Sequence, residues 1–367
     1  MPNALDTERL TQALALARTS FGLTEPNPRV GCLLGHADGR VFGQGATQQA
    51  GSAHAEVMAL RSARAAGHET RGCTAWVTLE PCAHFGRTPP CCDALIEAGI
   101  TRCVVAIGDP NPEVAGQGLA RMRAAGIEVV LLDADDPLCR EAHEINIGFF
   151  SRQQRGRPWV RAKVAASVDG RVALPNGQSK WITGEAARAD GHRWRLRASA
   201  VLTGIGTVLA DNPRLDVRAV PAPGQPLRVV LDRQLRLPPD AALLRPPGQV
   251  LVVAAAPAPL AVQRLRAAGA EVWDEPADNL PGLLHRLAER GVNEIHLEAG
   301  PRLTGAFAQA GLIDEWLIYL APVLLGPGQA MADLTVLAGL DRAQRYRWHE
   351  ATSVGDDLRL RMRLRHG

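Results

Sequence analysis

The chain has 367 residues, of which 46% are hydrophobic and 22% charged, so its composition is that of a globular protein and excludes disordered, collagen-like and coiled-coil classes. A net charge of +3 is too dilute for a nucleic-acid-binding surface, and we expect no nucleic-acid partner. The first ten residues lack an apolar core, and Pro257 and Pro259 interrupt the longest apolar stretch, so we expect neither a signal peptide nor a membrane span.

The length predicts two domains, each able to bury its own core. The chain has seven cysteines, which is an odd number, and we expect no export signal. Both observations favour reduced thiols or metal ligands over a disulfide framework. The expected compartment is therefore the cytoplasm.

The first half begins with a helical pattern, with Asp6 as its predicted N-cap and Gly22 as its stop. Strand-like and helical segments then alternate. The predicted strands are 29–34, 40–43, 74–79, 100–107 and 127–132, and the predicted helices are 55–66, 92–98 and 118–125. This order predicts a largely parallel sheet flanked by helices and complete by about residue 147.

Residues 151–158 are polar, basic and without periodicity, so we predict a boundary there, with one domain over 1–150 and another over 158–367. The second half repeats an α/β pattern. Its predicted strands are 159–166, 200–203, 228–232, 249–254, 294–298 and 315–320. The tail alternates leucine or methionine with arginine from Leu358 to Arg365, which predicts a last strand with one solvated face; a polyanion-binding site is the alternative.

The strongest chemical signal is His54-Ala55-Glu56, followed by Pro81-Cys82 and Cys91. One imidazole and two thiolates are good zinc ligands, and they leave the fourth tetrahedral position for a catalytic water. Glu56 can reach the pocket without binding the metal and can carry protons from water to a ring nitrogen and to departing ammonia. This is the pattern of zinc deaminases, except that eight residues rather than two separate the cysteines.

The remaining cysteines have a structural interpretation. Cys32, Cys73, Cys103 and Cys139 lie in or beside predicted elements and are expected to be buried apolar thiols. Cys92 competes with Cys91 as a ligand. His84 is expected on an exposed loop, because a fourth protein ligand would displace the catalytic water.

Segments along nearly the whole chain resemble the RibD family of bifunctional deaminase–reductases of riboflavin biosynthesis. They are PNPRVGC at 26–32, HAE at 54–56, TLEPCAHFGRTPPC at 78–91, GDPNPEVAGQG at 108–118, KVAASVDGR at 163–171, WIT at 181–183, TVLADNPRLDVR at 207–218 and EAGPRLTGAF at 298–307. The resemblance implies an N-terminal cytidine-deaminase-like three-layer α/β/α domain and a C-terminal dihydrofolate-reductase-like α/β domain.

For the first domain the resemblance implies that His54, Cys82 and Cys91 hold zinc and that Glu56 shuttles protons. The implied substrate contacts are Asn27, Arg87, Asp109 and Asn111. Arg87 has the charge for a phosphate, whereas the other three could instead be turn residues beside prolines. Thr47 stands where the family often has histidine, so a contact there is an open question.

For the second domain no GxGxxG motif supports an ordinary dinucleotide site. A glycine-containing turn at 295–305 could present N–H groups to a phosphate or could be plain helix capping. The resemblance implies NADPH as cofactor. The implied cofactor contacts are Ala165, Trp181, Thr207, Asp211, Gly300, Pro301, Arg302, Leu303, Thr304, Gly305 and Ala306. The implied substrate contacts are Ser179, Arg195, Leu215, Arg218 and Glu298. Structural alternatives are a core position for Trp181 and solvated positions for Arg195 and Arg218.

Lys163 draws attention because only it and Lys180 are lysines among 41 basic residues. Strand alternation puts Lys163 on the face opposite Ala162 and Val164, so it need not face solvent. The resemblance places Lys163 in the reductase pocket near Asp211, where an ammonium could contact ribose hydroxyls or donate a proton.

Together these features predict a two-domain enzyme using Zn²⁺ and NADPH. The resemblance implies that it deaminates 2,5-diamino-6-(5-phosphoribosylamino)pyrimidin-4(3H)-one and then reduces the ribosyl chain of 5-amino-6-(5-phosphoribosylamino)uracil to ribityl. The expected partner is this phosphoribosylated small molecule, and the expected assembly is a homo-oligomer, dimer or tetramer. The alternatives are a nucleoside or tRNA deaminase fused to an unrelated C-terminal domain and a zinc-stabilised nucleic-acid-binding protein.

Overall fold

The computed structural model describes residues 2–83, 89–111, 115–276 and 279–365. The chain divides into two units, Met1–Gly156 (unit 1) and Arg157–Gly367 (unit 2). No helix among the described residues is long and apolar enough to cross a membrane.

Unit 1 is an α/β unit whose strands and helices alternate from the second strand onward. Its elements are α1 Ala4–Arg18, β1 Gly31–Gly35, β2 Val41–Ala46, α2 Ala55–Ala65, β3 Thr74–Val77, α3 Cys91–Glu97, β4 Arg102–Val105, α4 Gln117–Ala124, β5 Glu128–Leu131, α5 Pro137–Ile145 and α6 Ile147–Arg155. The sheet order is β2-β1-β3-β4-β5, with β1 antiparallel to both neighbours and β3, β4 and β5 parallel.

Both faces of this sheet are covered, because successive side chains of each strand enter different cores. On β3, Ala75 and Val77 pack with side chains of α2, α3 and α4, whereas Trp76 packs with side chains of α1 and α5. The predicted three-layer arrangement is therefore confirmed.

The start of α1 differs from the prediction. Asn3 is the N-cap, and Asp6 completes a capping box by accepting the N–H of Asn3 at 2.9 Å. Asp6 is fully buried and also pairs with Arg102 at 2.7 Å and accepts the indole N–H of Trp76. The prediction of Asp6 as the N-cap is therefore wrong. Asp6 lies in the first turn of α1, where its carboxylate completes the capping box and also neutralises Arg102.

The segment 151–155 was expected to be an irregular connection, and that interpretation is wrong. It forms the second half of α6, which ends at Gly156 in the left-handed conformation. Unit 1 therefore extends to Gly156, whereas the predicted first domain ended at residue 150, inside this helix.

Unit 2 contains a nine-stranded sheet with helices between its parallel strands. Its elements are β6 Trp159–Ser167, β7 Arg171–Ala173, α7 Glu185–Arg197, β8 Ala200–Gly204, α8 Ile205–Asp211, β9 Leu227–Leu231, β10 Val250–Ala254, α9 Pro259–Ala267, β11 Ala270–Asp274, α10 Leu280–Glu289, β12 Glu294–Leu297, α11 Pro301–Gln309, β13 Glu315–Ala321, β14 Gln329–Ala330, β15 Tyr346–Val354 and β16 Asp357–Leu364. The order is β11-β10-β9-β8-β12-β6-β13-β16-β15, parallel from β11 to β13, with β16 and β15 added antiparallel.

The arginine face of β16 is not the solvated face that was predicted. Arg361 is buried and donates to Glu315 at 2.9 Å, and Arg363 also pairs with Glu315. Arg359 pairs with Asp190 at 2.8 Å. Alternation correctly predicted the strand, but it could not reveal that acids from other elements lie on the arginine side. The same ion pairs argue against the polyanion-site alternative.

Candidate functional site

Three metal-ligating side chains converge in unit 1. His54 is the N-cap of α2, Cys82 follows β3 after Pro81, and Cys91 opens α3. Their ligand atoms all lie within 4.8 Å of one another. The Nδ1 of His54 is 3.6 Å from Sγ of Cys82 and 3.4 Å from Sγ of Cys91. One imidazole and two thiols at these separations fit a zinc ion with one position left open.

The two thiols of this cluster influence each other's protonation. The hydrogen bond from Cys91 lowers the pKa of Cys82, and the same contact raises the pKa of Cys91. The hydrogen bond with Cys82 raises the pKa of His54. The contact thus favours the thiolate form at Cys82, and the thiolate is the form that binds metal.

The other cysteines match their structural interpretation. Cys32, Cys73, Cys103 and Cys139 are free and buried. Cys92 is buried, and its Sγ is 3.7 Å from Oδ1 of Asp93. Cys91, and not Cys92, belongs to the cluster with His54 and Cys82. His84 and Arg87 lie outside the described residues.

Glu56 lies in the first turn of α2, two residues after His54, and is 3% exposed. Burial raises the pKa of its carboxyl to about 7. The start of α2 can approach β2 closely because Gly45 has no side chain: a Cβ there would lie 2.3 Å from the carbonyl oxygen of Ala55. Packing of helix on strand therefore fixes both the metal ligand and the carboxylate.

A cavity of about 390 Å³ joins these groups to most of the predicted substrate contacts of unit 1. Asn27, Asp109 and Asn111 line it together with His54 and Glu56. Further lining residues, not predicted from the sequence, are Pro26, Pro28, Val30, Ala50, Gly51, Ser52, Leu79, Glu80, Phe149, Arg152 and Gln153.

Glu80 explains how the loop after β4 is held at this cavity. Its Oε2 accepts the N–H groups of Asp109 at 3.2 Å and Gly116 at 3.0 Å. Its Oε1 accepts those of Gly118 at 3.0 Å and Leu119 at 3.3 Å. One buried carboxylate thus satisfies four backbone donors. Glu80 stands two residues before Cys82, and that position was the only signal in the sequence. The zinc motif gave this glutamate no role.

Thr47 lines the cavity and is buried. Its Oγ1 accepts the N–H of Val30 at 3.2 Å, and its own N–H donates to the carbonyl of Val30. At this position the side chain therefore joins two backbone segments of the cavity wall.

In unit 2, the predicted substrate contacts Arg195 and Glu298 form a half-buried ion pair with Nη2–Oε2 at 2.8 Å and a second Nε–Oε1 contact. Arg195 also donates to the carbonyl of Asp216 at 3.0 Å. The solvated alternative for Arg195 is therefore wrong. These contacts, above all Arg195, hold the pKa of Glu298 well below its usual range.

Two other predicted substrate contacts lie next to Asp216, whose carbonyl Arg195 contacts. Leu215 is buried and has a positive φ of 54°, and Arg218 pairs with Asp216 at 2.8 Å. Ser179 lies in the half-exposed segment before Lys180, and its role stays a prediction.

Lys163 is half-buried on β6, and its ammonium lies 5.9 Å from the ring centroid of Tyr319. Burial lowers the pKa of Lys163, and Glu298 opposes that shift. Asp211 pairs with the other lysine, Lys180, at 3.3 Å, and its proximity to Lys163 stays a prediction.

The predicted cofactor turn starts α11. Gly300 is its N-cap in an extended conformation, and Pro301 is at the first helical position. The N–H of Gly300 donates to Oγ1 of Thr207 at 3.2 Å, so two predicted contacts are adjacent. The remaining predicted contacts of this turn, Arg302 to Ala306, form the first turns of α11. First-turn N–H groups lack intrahelical acceptors, which fits a cofactor phosphate.

Trp181 is 69% exposed and stacks against Arg188 at 4.7 Å, so its core alternative is wrong. Ala165 lies on β6 two residues after Lys163, on the same strand face. This exposed aromatic ring is available to stack on a flat ligand.

His296 was missed by sequence reasoning. It is fully buried on β12, and its Nε2 is 3.4 Å from Oε1 of Glu298. Burial lowers its pKa to about 3. A histidine at a buried strand position gives no signal by itself, and only the fold reveals its proximity to Glu298.

Comparison with known proteins gives matches for both units. Residues 4–107 match the cytidine and deoxycytidylate deaminase zinc-binding region, and residues 158–358 match the RibD C-terminal domain. The riboflavin biosynthesis protein RibD of Escherichia coli is 40% identical over 96% of this chain and 98% of its own length. That of Mycobacterium tuberculosis is 40% identical over 92% of this chain and 91% of its own.

Solved structures agree. Acinetobacter baumannii RibD superposes with a TM-score of 0.89 at 41% identity and covers 99% of both chains. The deaminase/reductase of Thermotoga maritima gives a TM-score of 0.87 at 32% identity, covering 98% of this chain and 99% of its own. The fold class predicted for both halves is confirmed, and the alternative of an unrelated C-terminal domain is not supported, since residues 158–358 match the RibD C-terminal domain. The chain belongs to the RibD family of riboflavin biosynthesis and combines a zinc-dependent deaminase with an NADPH-dependent reductase.

Proposed function

We propose that unit 1 deaminates 2,5-diamino-6-(5-phosphoribosylamino)pyrimidin-4(3H)-one and that unit 2 reduces the ribosyl chain of 5-amino-6-(5-phosphoribosylamino)uracil to ribityl. The observation that carries this proposal is the cavity in which a His/Cys/Cys cluster, Glu56 and the amide and carboxylate groups of Asn27, Asp109 and Asn111 meet. The Thermotoga maritima relative is a diaminohydroxyphosphoribosylaminopyrimidine deaminase and 5-amino-6-(5-phosphoribosylamino)uracil reductase, which supports the same pair of activities here.

In unit 1, His54, Cys82 and Cys91 would hold zinc. Bound zinc supplies Lewis-acid activation of a water molecule, lowering its pKa to about 7. Glu56, buried at the start of α2, takes the water proton and returns protons first to the ring nitrogen and then to the departing amino group. Water and the aminopyrimidine thereby become the pyrimidinone and ammonia.

Asn27, Asp109 and Asn111 would hold the pyrimidine. An asparagine amide can both donate to and accept from a base edge, while a carboxylate accepts from an amino group. The N–H of Asn111 donates to Oδ1 of Asp109 at 2.8 Å, so the two contacts are positioned together, and Glu80 holds their loop. Arg87 stays a predicted phosphate contact.

In unit 2, Ala165, Trp181, Thr207, Asp211 and the turn from Gly300 to Ala306 would line the cofactor site. NADPH supplies the hydride. Ser179, Arg195, Leu215, Arg218 and Glu298 would face the sugar phosphate. Lys163 would give a proton to the ring oxygen of the ribosyl group as C1′ accepts the hydride. The C1′–O bond then opens, C1′ becomes a CH₂ group still bonded to nitrogen, and the freed oxygen becomes a hydroxyl, which completes the two-electron reduction of ribosyl to ribityl.

The order of the two reactions tests this proposal. The purified protein, given the phosphoribosylated diaminopyrimidinone, should release ammonia without NADPH. Oxidation of NADPH should follow only after ammonia release. Oxidation that precedes deamination, or ammonia release from cytidine but not from this substrate, would contradict it.

We also propose that the functional domains correspond to residues 1–150 and 158–367. The first domain also includes the rest of α6, which ends at Arg155. Each unit has its own buried core, which supports this division. A fragment starting at Arg157 should be folded by circular dichroism and should reduce the deaminated intermediate. A folded fragment without that activity would argue against separable domains.

A cytoplasmic homo-oligomer, dimer or tetramer, is the proposed state. All seven cysteines are free, as a reducing compartment would keep them.

The oligomer is supported by exposed apolar side chains. Val336 and Leu340 are 99% and 83% exposed, and Trp348 is 66% exposed, which is apolar surface that a second copy could cover. Light scattering measures the mass in solution, and a monomer would refute the oligomer.

A further inference from the structure

The charge of the deaminase cavity poses a problem for an anionic substrate. Three acids line it, Glu56, Glu80 and Asp109. Glu80 is occupied by four backbone amides, but its charge remains beside the cavity. A phosphate brought into such a site is repelled unless a cation is built into the wall.

Arg152 is the only arginine or lysine among the described residues that line the cavity. It lies on α6, and its Nη2 donates to the carbonyl of Pro26 at 3.3 Å. Its guanidinium carbon is 5.7 Å from the ring centroid of Phe149. Pro26 and Phe149 both line the cavity, so the guanidinium is held at its wall.

The wall that carries Arg152 is fixed by a buried asparagine. Asn146, which precedes α6, accepts the N–H of Arg29 at 2.7 Å and donates to its carbonyl at 2.9 Å. This pair of hydrogen bonds ties the segment containing Pro26 to the start of α6. The cation is therefore presented by a braced helix and not by a free surface loop.

We propose that Arg152 binds the substrate phosphate in the deaminase cavity and makes this unit specific for the phosphorylated pyrimidine, an inference that rests on the proposed function. A guanidinium matches phosphate oxygens with paired N–H donors and keeps its charge at neutral pH. The neighbouring Gln153, also in the wall, can donate a further hydrogen bond.

Arg155 offers a matched control on the same helix. It is one turn further along, and its guanidinium donates to Oγ of Ser151 at 3.2 Å within α6. It does not belong to the cavity lining. Arg155→Gln therefore removes an equal charge from α6 without removing a group from the cavity.

The experiment compares ammonia release from the phosphorylated substrate and from its 5′-hydroxyl analogue. For Arg152→Gln we expect kcat/KM to fall tenfold or more on the phosphorylated substrate and to change less than twofold on the analogue. Arg152→Lys should give a smaller loss, again confined to the phosphorylated substrate. Inorganic phosphate should inhibit the wild type competitively and lose this effect in Arg152→Gln.

The proposal is overturned by an equal loss on both substrates, which would mean a structural role, or by no loss on either. Zinc content, and NADPH oxidation measured with the deaminated intermediate supplied directly, should be unchanged in every variant and show that the chain is intact. A wild-type protein that releases no ammonia from either compound refutes the proposed function itself, whereas a wild type active on both without preference refutes only the role of Arg152.

Discussion

The two units build their candidate sites from different kinds of groups. In unit 1 the central feature is three ligand atoms within 4.8 Å, contributed by short segments of distinctive residue type. In unit 2 it is an ion pair between Arg195 on α7 and Glu298 after β12, surrounded by buried polar groups. Metal chemistry limits the choice of residue, whereas an ion pair can be built from many positions. The first site can therefore be identified from sequence motifs, and the second needs the fold.

We expect the largest effect on activity from Glu56→Gln in unit 1. The change removes a proton carrier but no metal ligand, so zinc should remain while ammonia release falls by about 10² to 10⁴-fold. Metal analysis and an ammonia assay on the same preparation measure both. Reduction of the deaminated intermediate should be unaffected. Loss of zinc, or normal deamination, would show that Glu56 has another role.

The sequence likewise predicted the metal site of unit 1 better than the polar contacts of either unit. The ligands His54, Cys82 and Cys91 could be named because few residue types bind zinc, and strand alternation located most of the sheet. Arg152 was missed because the polar, aperiodic stretch 151–158 was interpreted as a connection between domains, whereas residues 151–155 continue α6. Sequence periodicity detects burial, and it cannot detect a polar side chain that faces a cavity.

Long-range ion pairs were equally inaccessible. Arg361 was expected in solvent, yet it is buried and donates a hydrogen bond to Glu315 of β13. Nothing local to either residue announces the other, since the pairing depends on the antiparallel register of β13 with β16. Opposite charges on neighbouring strands can be matched only when that register is known.

Glu80→Gln tests whether unit 1 depends on polar positioning as well as on metal. The amide would turn its NH₂ group toward backbone N–H donors of the loop, so we expect a local cost of about 2 kcal/mol. Hydrogen exchange should quicken at Gly116, Gly118 and Leu119, and KM for deamination should rise. Glu97→Gln, at an exposed position of α3, is the control. Unchanged exchange in the loop would contradict the positioning role.

Lys163→Arg tests the polar site of unit 2. Arginine keeps the charge, but its broad head and higher pKa make it a poor proton donor in a half-buried site. We expect reduction of the ribosyl intermediate to fall tenfold or more, on the order of 1.4 kcal/mol in the barrier. Zinc content and deamination should stay normal. Wild-type NADPH oxidation at saturating and subsaturating substrate would leave Lys163 with a structural role only.

The smallest effect concerns His296 and the dependence of unit 2 on pH. Burial lowers the pKa of this histidine to about 3, and Arg195, Arg161 and Lys163 oppose its protonation, while Glu298 favours it. An unfolded histidine has a pKa of about 6.5. The unfolded chain therefore binds the proton first as the solution is acidified. The stabilising contribution of neutral His296 is complete above a pH of about 6.5 and is lost progressively below it.

Between pH values of about 7 and 5.5 this linkage should lower the stability of unit 2 by on the order of 1 kcal/mol. His296→Phe should reduce that pH dependence, measured by hydrogen exchange of the β12 amides at the two pH values. A residual slope should remain, because burial also lowers the pKa of His192 to about 4. His285→Gln, at an exposed position of α10, should leave the slope unchanged. Equal slopes in wild type and His296→Phe would mean that folding leaves the pKa of this histidine near its unfolded value, which would contradict the effect of burial.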